Sequence, residues 1–158
     1  MNKQTPTENP PGEEKRDVRP WLPEERQKFY ECFAKHYKKF NIISEMIPTR
    51  SFTQVRQFFY RETKRIQGLL GDSQNIINWD DKDHVICVFN SYSTLIKNGS
   101  DPAKVMKSKR YIERLKHKIE GINKRRLAQQ ERERQKLELA RLENEKNAAL
   151  YSLLLISI

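Results

Sequence analysis

The stretch IPTRSFTQVRQFFYRETKR, residues 47–65, decides the fold of the first half of this 158-residue chain. Pro48 interrupts one helical pattern, and Ser51 begins another with Gln54 three residues later. A serine and a glutamine at that spacing form a capping box, in which both side chains satisfy backbone N–H groups at a helix start. The spacing therefore predicts a helix from Ser51 to about Arg65.

Helical spacing of apolar residues continues upstream of this stretch. Pro23 starts a first helix, because proline suits the first turn, and a short second helix precedes Pro48. One large aromatic residue falls on each predicted element, at Trp21, Phe40 and Phe59, with two equal spacings of 19 residues. Rings at such positions can meet at the centre of a three-helix bundle, where each buries on the order of 150–250 Å².

The segments outside the bundle differ in composition. Residues 1–19 are polar and Pro-rich, so we expect a disordered arm. Residues 69–78 contain Gly71 and the sequence GDSQN and are predicted to be a linker. Residues 79–123 have helical spacing, and residues 124–158 are predicted to be an extended charged helix with an apolar tail. The predicted fold is all-α: a three-helix bundle at residues 20–68, a second helical segment and a long C-terminal helix.

Charge is distributed unevenly along the chain. The 31 Lys and Arg exceed the 21 Asp and Glu, giving a net charge of +10, which favours polyanionic partners. Residues 21–66 hold ten basic residues against five acidic ones, and residues 104–126 hold ten against two. Two basic surfaces that neutralise phosphates are one interpretation, and charged helix faces with no binding role are the alternative.

The predicted third helix has an apolar side and a polar side. Val55, Phe58 and Phe59 face inward, and arginine, glutamine and threonine on the other side can contact base edges and phosphates in a major groove. The predicted DNA-binding residues there are Arg50, Thr53, Arg56, Gln57, Tyr60, Arg61 and Lys64. In the second basic run they are Lys107, Lys109, Arg110, Arg114 and Lys118.

Two motifs carry a family resemblance. The pattern W-x-x-E-E-x-x-x-F from Trp21 and the pattern R-S-x-x-Q-V-x-x-F-F-Y-R from Arg50 resemble the Myb/SANT (homeobox-like) helix-turn-helix family. The resemblance covers about residues 21–66 and implies a recognition helix at residues 51–65, duplex DNA binding and a nuclear location. The second and third tryptophans of a Myb repeat are replaced, as is commoner in SANT modules. A protein-interaction module of a transcription or chromatin-remodelling complex is therefore the alternative.

Nothing in the sequence has the pattern of a catalytic site. There is no GxGxxG, GxxxxGK[ST], HExxH or GxSxG motif, and the three histidines lie in separate segments. The two cysteines form no CxxC or Cys/His cluster, so no metal site is predicted. We therefore expect a non-enzyme without catalytic residues, cofactor or small-molecule substrate. The apolar tail spans eleven residues, fewer than the roughly 20 of a membrane span, so no membrane partner is expected.

The organisation of the chain is also similar to a more specific group of proteins, the small homeobox-like accessory subunits of nuclear adenine-N6 DNA methyltransferase complexes. That resemblance implies a subunit that helps to hold DNA for a separate catalytic chain, which would itself bind S-adenosylmethionine. It also implies protein partner subunits. The C-terminal helix and its apolar tail are the segment expected to bind them, because an exposed apolar run favours association.

Overall fold

The computed structural model of the protein describes residues 19–158, and the predicted disordered arm lies outside the described residues except for Arg19. No strand occurs in the part of the chain that is described. The predicted all-α fold with a long C-terminal helix is confirmed. In chain order the elements are α1 (Pro23–His36), α2 (Phe40–Met46), α3 (Phe52–Leu70), a 3-10 helix (Gly71–Ile76), α4 (Lys82–Lys97), α5 (Pro102–Val105) and α6 (Lys109–Ile156).

The helix starts follow the capping residues of the sequence. Before α3, the Ser51 hydroxyl accepts the Gln54 N–H at 3.2 Å, and the Gln54 side chain accepts the Ser51 N–H at 2.9 Å. The predicted capping box is thus confirmed. Asp101 caps α5 in a simpler way, because its carboxylate accepts the Ala103 N–H at 3.1 Å. Such caps satisfy N–H groups that have no partner within the helix.

Aromatic rings fill the core of the helical bundle. Phe59 lies at its centre, with the rings of Phe33, Phe40 and Phe89 at centroid distances of 5.3, 5.4 and 5.5 Å. Trp21 is linked to this cluster through Phe29, whose ring lies 6.1 Å from Trp21 and 5.7 Å from Phe33. Trp21 also stacks on Phe58 at 4.0 Å.

The division of residues 20–68 and 79–123 into separate regions differs from the structure. Phe89 of α4 packs against Phe33 of α1 at 4.7 Å, and Tyr92 of α4 contacts Tyr30 of α1 at 6.1 Å. The predicted linker at 69–78 is largely a 3-10 helix followed by the buried residue Ile77. The aromatic core therefore extends into α4, and the described residues up to 112 form one compact unit.

The second compact unit, Glu113–Ile158, is a single helical segment. Ion pairs along it join side chains three or four residues apart, as with Arg134 to Glu131 at 2.7 Å and Arg141 to Glu138 and Glu145, each at 2.6 Å. These pairs support a solvated helix. The large apolar side chains from Leu127 onward are all exposed. None of the described helices is both long enough and apolar enough to cross a bilayer.

Candidate nucleic-acid interface

One face of α3 carries six of the residues predicted to contact DNA. They recur at intervals of one, three or four positions, so they form one stripe along the helix. All of them are exposed, and their backbone is ordered helix from the first turn of α3 onward. The members of this stripe, called the α3 face below, are Thr53, Arg56, Gln57, Tyr60, Arg61 and Lys64.

The exposed charge of α3 is entirely positive. Its one acidic residue, Glu62, has a side chain that is only 3% exposed and lies inside the bundle. On the α3 face, the guanidinium of Arg56 lies 5.6 Å from the centroid of the Tyr60 ring, so the two side chains support each other. A helix with this distribution can approach a polyanion without like-charge repulsion from its own acidic residue.

Arg50 differs from the other predicted contacts because the structure places it inside the bundle, with a residue exposure of 4%. Its Nε and Nη2 donate to the two carboxylate oxygens of Glu25 at 2.7 and 3.0 Å. Its Nη1 and Nη2 also donate to the carbonyls of Arg19 and Pro20 at 3.1 and 3.0 Å. The guanidinium is directed inward by these acceptors, so Arg50 is removed from the proposed contact set.

The carboxylate of Glu25 is held by several donors at once. Besides Arg50, the Thr49 hydroxyl donates to it at 2.7 Å and the Leu22 N–H at 2.9 Å. Hydrogen bonding from Arg50, against the opposing effect of burial, lowers the pKa of Glu25 from an ordinary 4.5 to about 2. The pair joins the first turn of α1 to the residue before Ser51, where α3 begins. It therefore fixes how α3 enters the bundle.

A second buried acidic group was missed by sequence reasoning. Glu62 accepts a hydrogen bond from the Tyr30 hydroxyl and lies 3.5 Å from Arg26 and 3.2 Å from Arg65. Burial, followed by the charge of Glu62, raises the pKa of Tyr30 well above its usual range. The only available signal is that Glu62 follows Val55, Phe58 and Phe59 on the inward side of the helix. Charged residues are rarely expected there.

A pocket of about 420 Å³ lies beside this cluster in the first unit. Arg26 and Arg65 line it together with apolar residues, among them Leu69 and Ile96, and Asp101 contributes the negative charge. The carboxylate of Asp101 serves as the cap of α5, and Glu62 already neutralises part of the arginine charge. No group of three or more metal-binding side chains occurs among the described residues.

The predicted residues of the second basic run are all exposed, but they fall in both compact units. Lys107 lies in the turn before α6, and Lys109 and Arg110 lie in its first turn, within the first unit. Arg114 and Lys118 belong to the second unit. Each is available to solvent.

Comparison with known proteins finds a family match in the first compact unit. Residues 19–62 match the family described as Myb-like DNA-binding domain, over less than a third of the chain. No curated protein and no solved structure matches the chain. The matched residues include α1, α2 and most of the α3 face. The match supports the Myb/SANT resemblance and a module of the DNA-binding or SANT type in this part of the chain.

Proposed function

We propose that this chain is a non-catalytic DNA-binding accessory subunit of a nuclear DNA-modifying or chromatin complex, and that the α3 face contacts duplex DNA. The observation that carries the proposal is the α3 face itself: six exposed polar side chains, three of them basic, with the only acidic residue of the helix buried. The Myb-like match over residues 19–62 supports the same reading.

The dimensions of α3 suit a major groove. Its 19 residues span about 28 Å at 1.5 Å per residue, and the groove is about 12 Å wide, enough to admit one helix. Thr53, Arg56 and Gln57 lie in the first turns, from which recognition helices of this class reach base edges. Arg61 and Lys64 lie further along and are suited to phosphates, which favour flexible cationic side chains.

Phosphate contacts from the second basic run would add affinity without sequence preference. Each cation that neutralises a phosphate releases counterions, so its contribution falls as salt rises. The exposed residues proposed for this role are Lys107, Lys109, Arg110, Arg114 and Lys118.

The kind of complex is inferred from the organisation of the chain: a basic helical bundle followed by a long helix with an exposed apolar tail. We infer a subunit of an adenine-N6 DNA methyltransferase complex, in which a separate chain supplies the catalytic site and binds S-adenosylmethionine. The exposed apolar side chains of the C-terminal segment support a protein-binding role, because monomeric surfaces rarely keep so many large apolar groups together. A nuclear location follows from the proposed substrate.

A SANT-type protein-interaction module is the second candidate, and one observation favours it. Phe52, at the start of α3, is 48% exposed although its ring contacts Phe40 at 6.4 Å. Met46, at the end of α2, is also exposed. Large apolar side chains at the surface of a small bundle are typical of protein contacts. In that case the α3 face would bind a partner chain rather than DNA.

Charge reversal on the α3 face distinguishes the two candidates. We expect the full chain to bind a 20-base-pair duplex with a Kd of about 10⁻⁴–10⁻⁶ M near physiological salt, as is typical of non-specific binding. Arg56→Glu with Arg61→Glu should weaken this at least tenfold, measured by fluorescence anisotropy. The matched control is Lys28→Glu with Lys35→Glu, which makes the same charge change on exposed residues of α1.

The affinities of the two double variants and of the wild-type chain for DNA distinguish the candidates. If both double variants weaken binding equally, net charge alone attracts the DNA and the α3 face is not the contact. If the wild-type chain does not bind duplex DNA at low salt, the SANT-type candidate replaces the DNA-binding one. Circular dichroism of each variant must show unchanged helix content, so that loss of the fold is separated from loss of contact.

A further inference from the structure

A seam of side chains, all apolar except Lys146, runs along the last part of α6. Its members alternate by three and four residues, which is the spacing by which two helices pair. The large members are exposed, although apolar surface of this extent is usually covered. The residues of this seam, called the α6 seam below, are Leu139, Leu142, Lys146, Ala149, Leu153 and Ile156.

We propose that the α6 seam pairs with the α6 seam of a second copy of this chain, running in the opposite direction. Leu139 would lie opposite Ile156 of the second copy, and Leu142 opposite its Leu153. Lys146 would lie opposite Ala149. The proposed function gives the C-terminal segment a protein-binding role. This inference rests on that function only in naming a second copy of the chain as the first partner to bind there.

Charge decides the direction of pairing. In a parallel pair, Lys146 would face its own copy in the middle of the seam, and Glu138 would lie across from Glu143. Like charges placed opposite each other in a helix pair disfavour that arrangement, although Arg141 neutralises part of the Glu138 charge at 2.6 Å. In the antiparallel pair the aliphatic stem of Lys146 covers a small alanine while its ammonium reaches solvent.

The positions that flank the seam agree with the antiparallel direction. There Glu143 lies across from Leu150, and Glu145 lies across from Ser152, so no like charges meet. The side chain of Leu150 can cover the aliphatic stem of Glu143. Flanking charges set partner choice and orientation in paired helices, and here they tolerate a second copy only when it is reversed.

The register is also determined by the sequence. Sliding one helix by a heptad in one direction would oppose Leu153 and Ile156 with Gln135 and Arg132. Sliding it in the other direction would oppose Ile156 with Lys146 and Leu153 with Ala149, so neither of these large residues would face another large apolar residue. One register therefore matches large apolar residues at both ends and the small residue in the middle. A surface complementary to itself after a half turn is the defining property of a two-fold interface.

Self-pairing would have a consequence for DNA binding. Two copies would carry two α3 faces in one particle, and the second contact with one DNA molecule would become intramolecular. The apparent affinity for long duplexes would then exceed that of a single copy without any new contact.

Adjacent leucines provide a matched test of the seam. Leu153 lies in the seam and Leu154 beside it, and their exposures of 63% and 62% are nearly equal. By analytical ultracentrifugation at about 50 µM, we expect the wild-type chain and Leu154→Glu to be dimeric and Leu153→Glu to be monomeric. The dissociation constant of the dimer should be at least about tenfold higher for Leu153→Glu than for the wild-type chain. Leu139→Glu and Leu137→Glu form a second matched pair. A monomeric wild-type chain, or equal effects within each pair, would overturn the proposal.

Distances between labels test the direction. We place a spin label at Gln130→Cys in a chain that also carries Cys32→Ala and Cys87→Ala. The antiparallel register separates the two labels by about 50 Å along the axis at 1.5 Å per residue, whereas a parallel pair keeps them within about 20 Å. Pulsed electron–electron double resonance should give the distance of about 50 Å between the two labels. The short distance would refute the register.

A lipid surface is the other possible occupant of the seam. If the wild-type chain binds phosphatidylcholine vesicles, and Leu153→Glu and Leu154→Glu lose that binding equally, the lipid surface replaces the second copy.

The inference and the proposed function can fail separately. The monomeric Leu153→Glu chain should still bind a short duplex with the affinity of one α3 face. A wild-type monomer that binds DNA would end the pairing proposal and leave the DNA proposal standing. A dimer that binds no DNA would do the reverse.

Discussion

Removing the carboxylate of Glu25 tests whether the buried pair with Arg50 holds the bundle together. Hydrogen bonds from Arg50 lower the pKa of Glu25 from 4.5 to about 2. That difference corresponds to about 3 kcal/mol, since one pKa unit is about 1.36 kcal/mol. Glu25→Gln should therefore lower the free energy of unfolding by about 3 kcal/mol at pH 7. The loss is similar to that measured when one partner of a buried ion pair is removed, about 3–5 kcal/mol.

The sign of the pH dependence follows from the direction of the shift. The folded pKa is depressed, so the unfolded chain binds the proton more tightly than the folded one. The stabilisation is fully present above about pH 4.5 and is lost as the pH falls through about 2. The difference in stability between wild type and Glu25→Gln should shrink over that window. Urea unfolding at a series of pH values, followed by tryptophan fluorescence, measures it, because Trp21 lies 5.1 Å from the Arg50 guanidinium.

Glu24→Gln is the matched control for this experiment. Glu24 lies in the same first turn of α1 and is exposed, so its removal takes away the same interaction with the helix dipole. That change should cost only about 0.3–1 kcal/mol. Equal losses in the two variants, or an acid-dependent difference that does not shrink below pH 4, would show that the pair does not stabilise the fold.

Three further outcomes are expected. Phe59→Ala should lower the free energy of unfolding by about 3–5 kcal/mol and unfold the first unit. Phe52→Ala, at an exposed position, should change the melting temperature little. Equal melting curves for the two variants would contradict the aromatic core. A chain ending after Arg126 should keep most of its affinity for a short duplex in anisotropy but fail to co-purify with partner chains. Retention of those chains would place assembly in the bundle. Charge reversal in the second basic run should lower the slope of log affinity against log salt by about 0.9 per lost phosphate contact, and an unchanged slope would assign that run to solvent. The reversed residues are Lys107, Lys109, Arg110 and Arg114.

Local signals in the sequence were sufficient for the helices but not for their packing. The capping box at Ser51 and the proline at Pro23 place helix starts correctly, because a cap involves only residues three or four positions apart. The end of α3 was missed, since a single glycine at Gly68 is tolerated within a helix and Leu70 is buried. The packing of Phe89 against Phe33 joins residues far apart in sequence. No local periodicity could indicate it.

The candidate site was predictable where side chains point to solvent and unpredictable where charges are buried. The stripe from Thr53 to Lys64 follows from helical periodicity once Val55 and Phe59 are assigned to the core. Arg50 and Glu62 carry charges, and a sequence pattern places charged residues outside by default. Their burial depends on partners supplied by α1, namely Glu25 and Tyr30, which only the folded structure brings within reach.

The two arginines that flank the start of α3 show how burial divides one basic motif into two roles. Arg50 is directed into the bundle by Glu25 and by the carbonyls of Arg19 and Pro20, while Arg56 remains exposed on the α3 face. Removing one partner of a buried ion pair is costly because the other charge is left unpaired, although the intact pair adds little net stability over apolar residues of similar size. Such a pair fixes geometry when its donors have acceptors. Here it fixes the residue next to the α3 cap. The buried Arg50 therefore helps to set the position of the α3 start, and with it the orientation of the exposed Arg56.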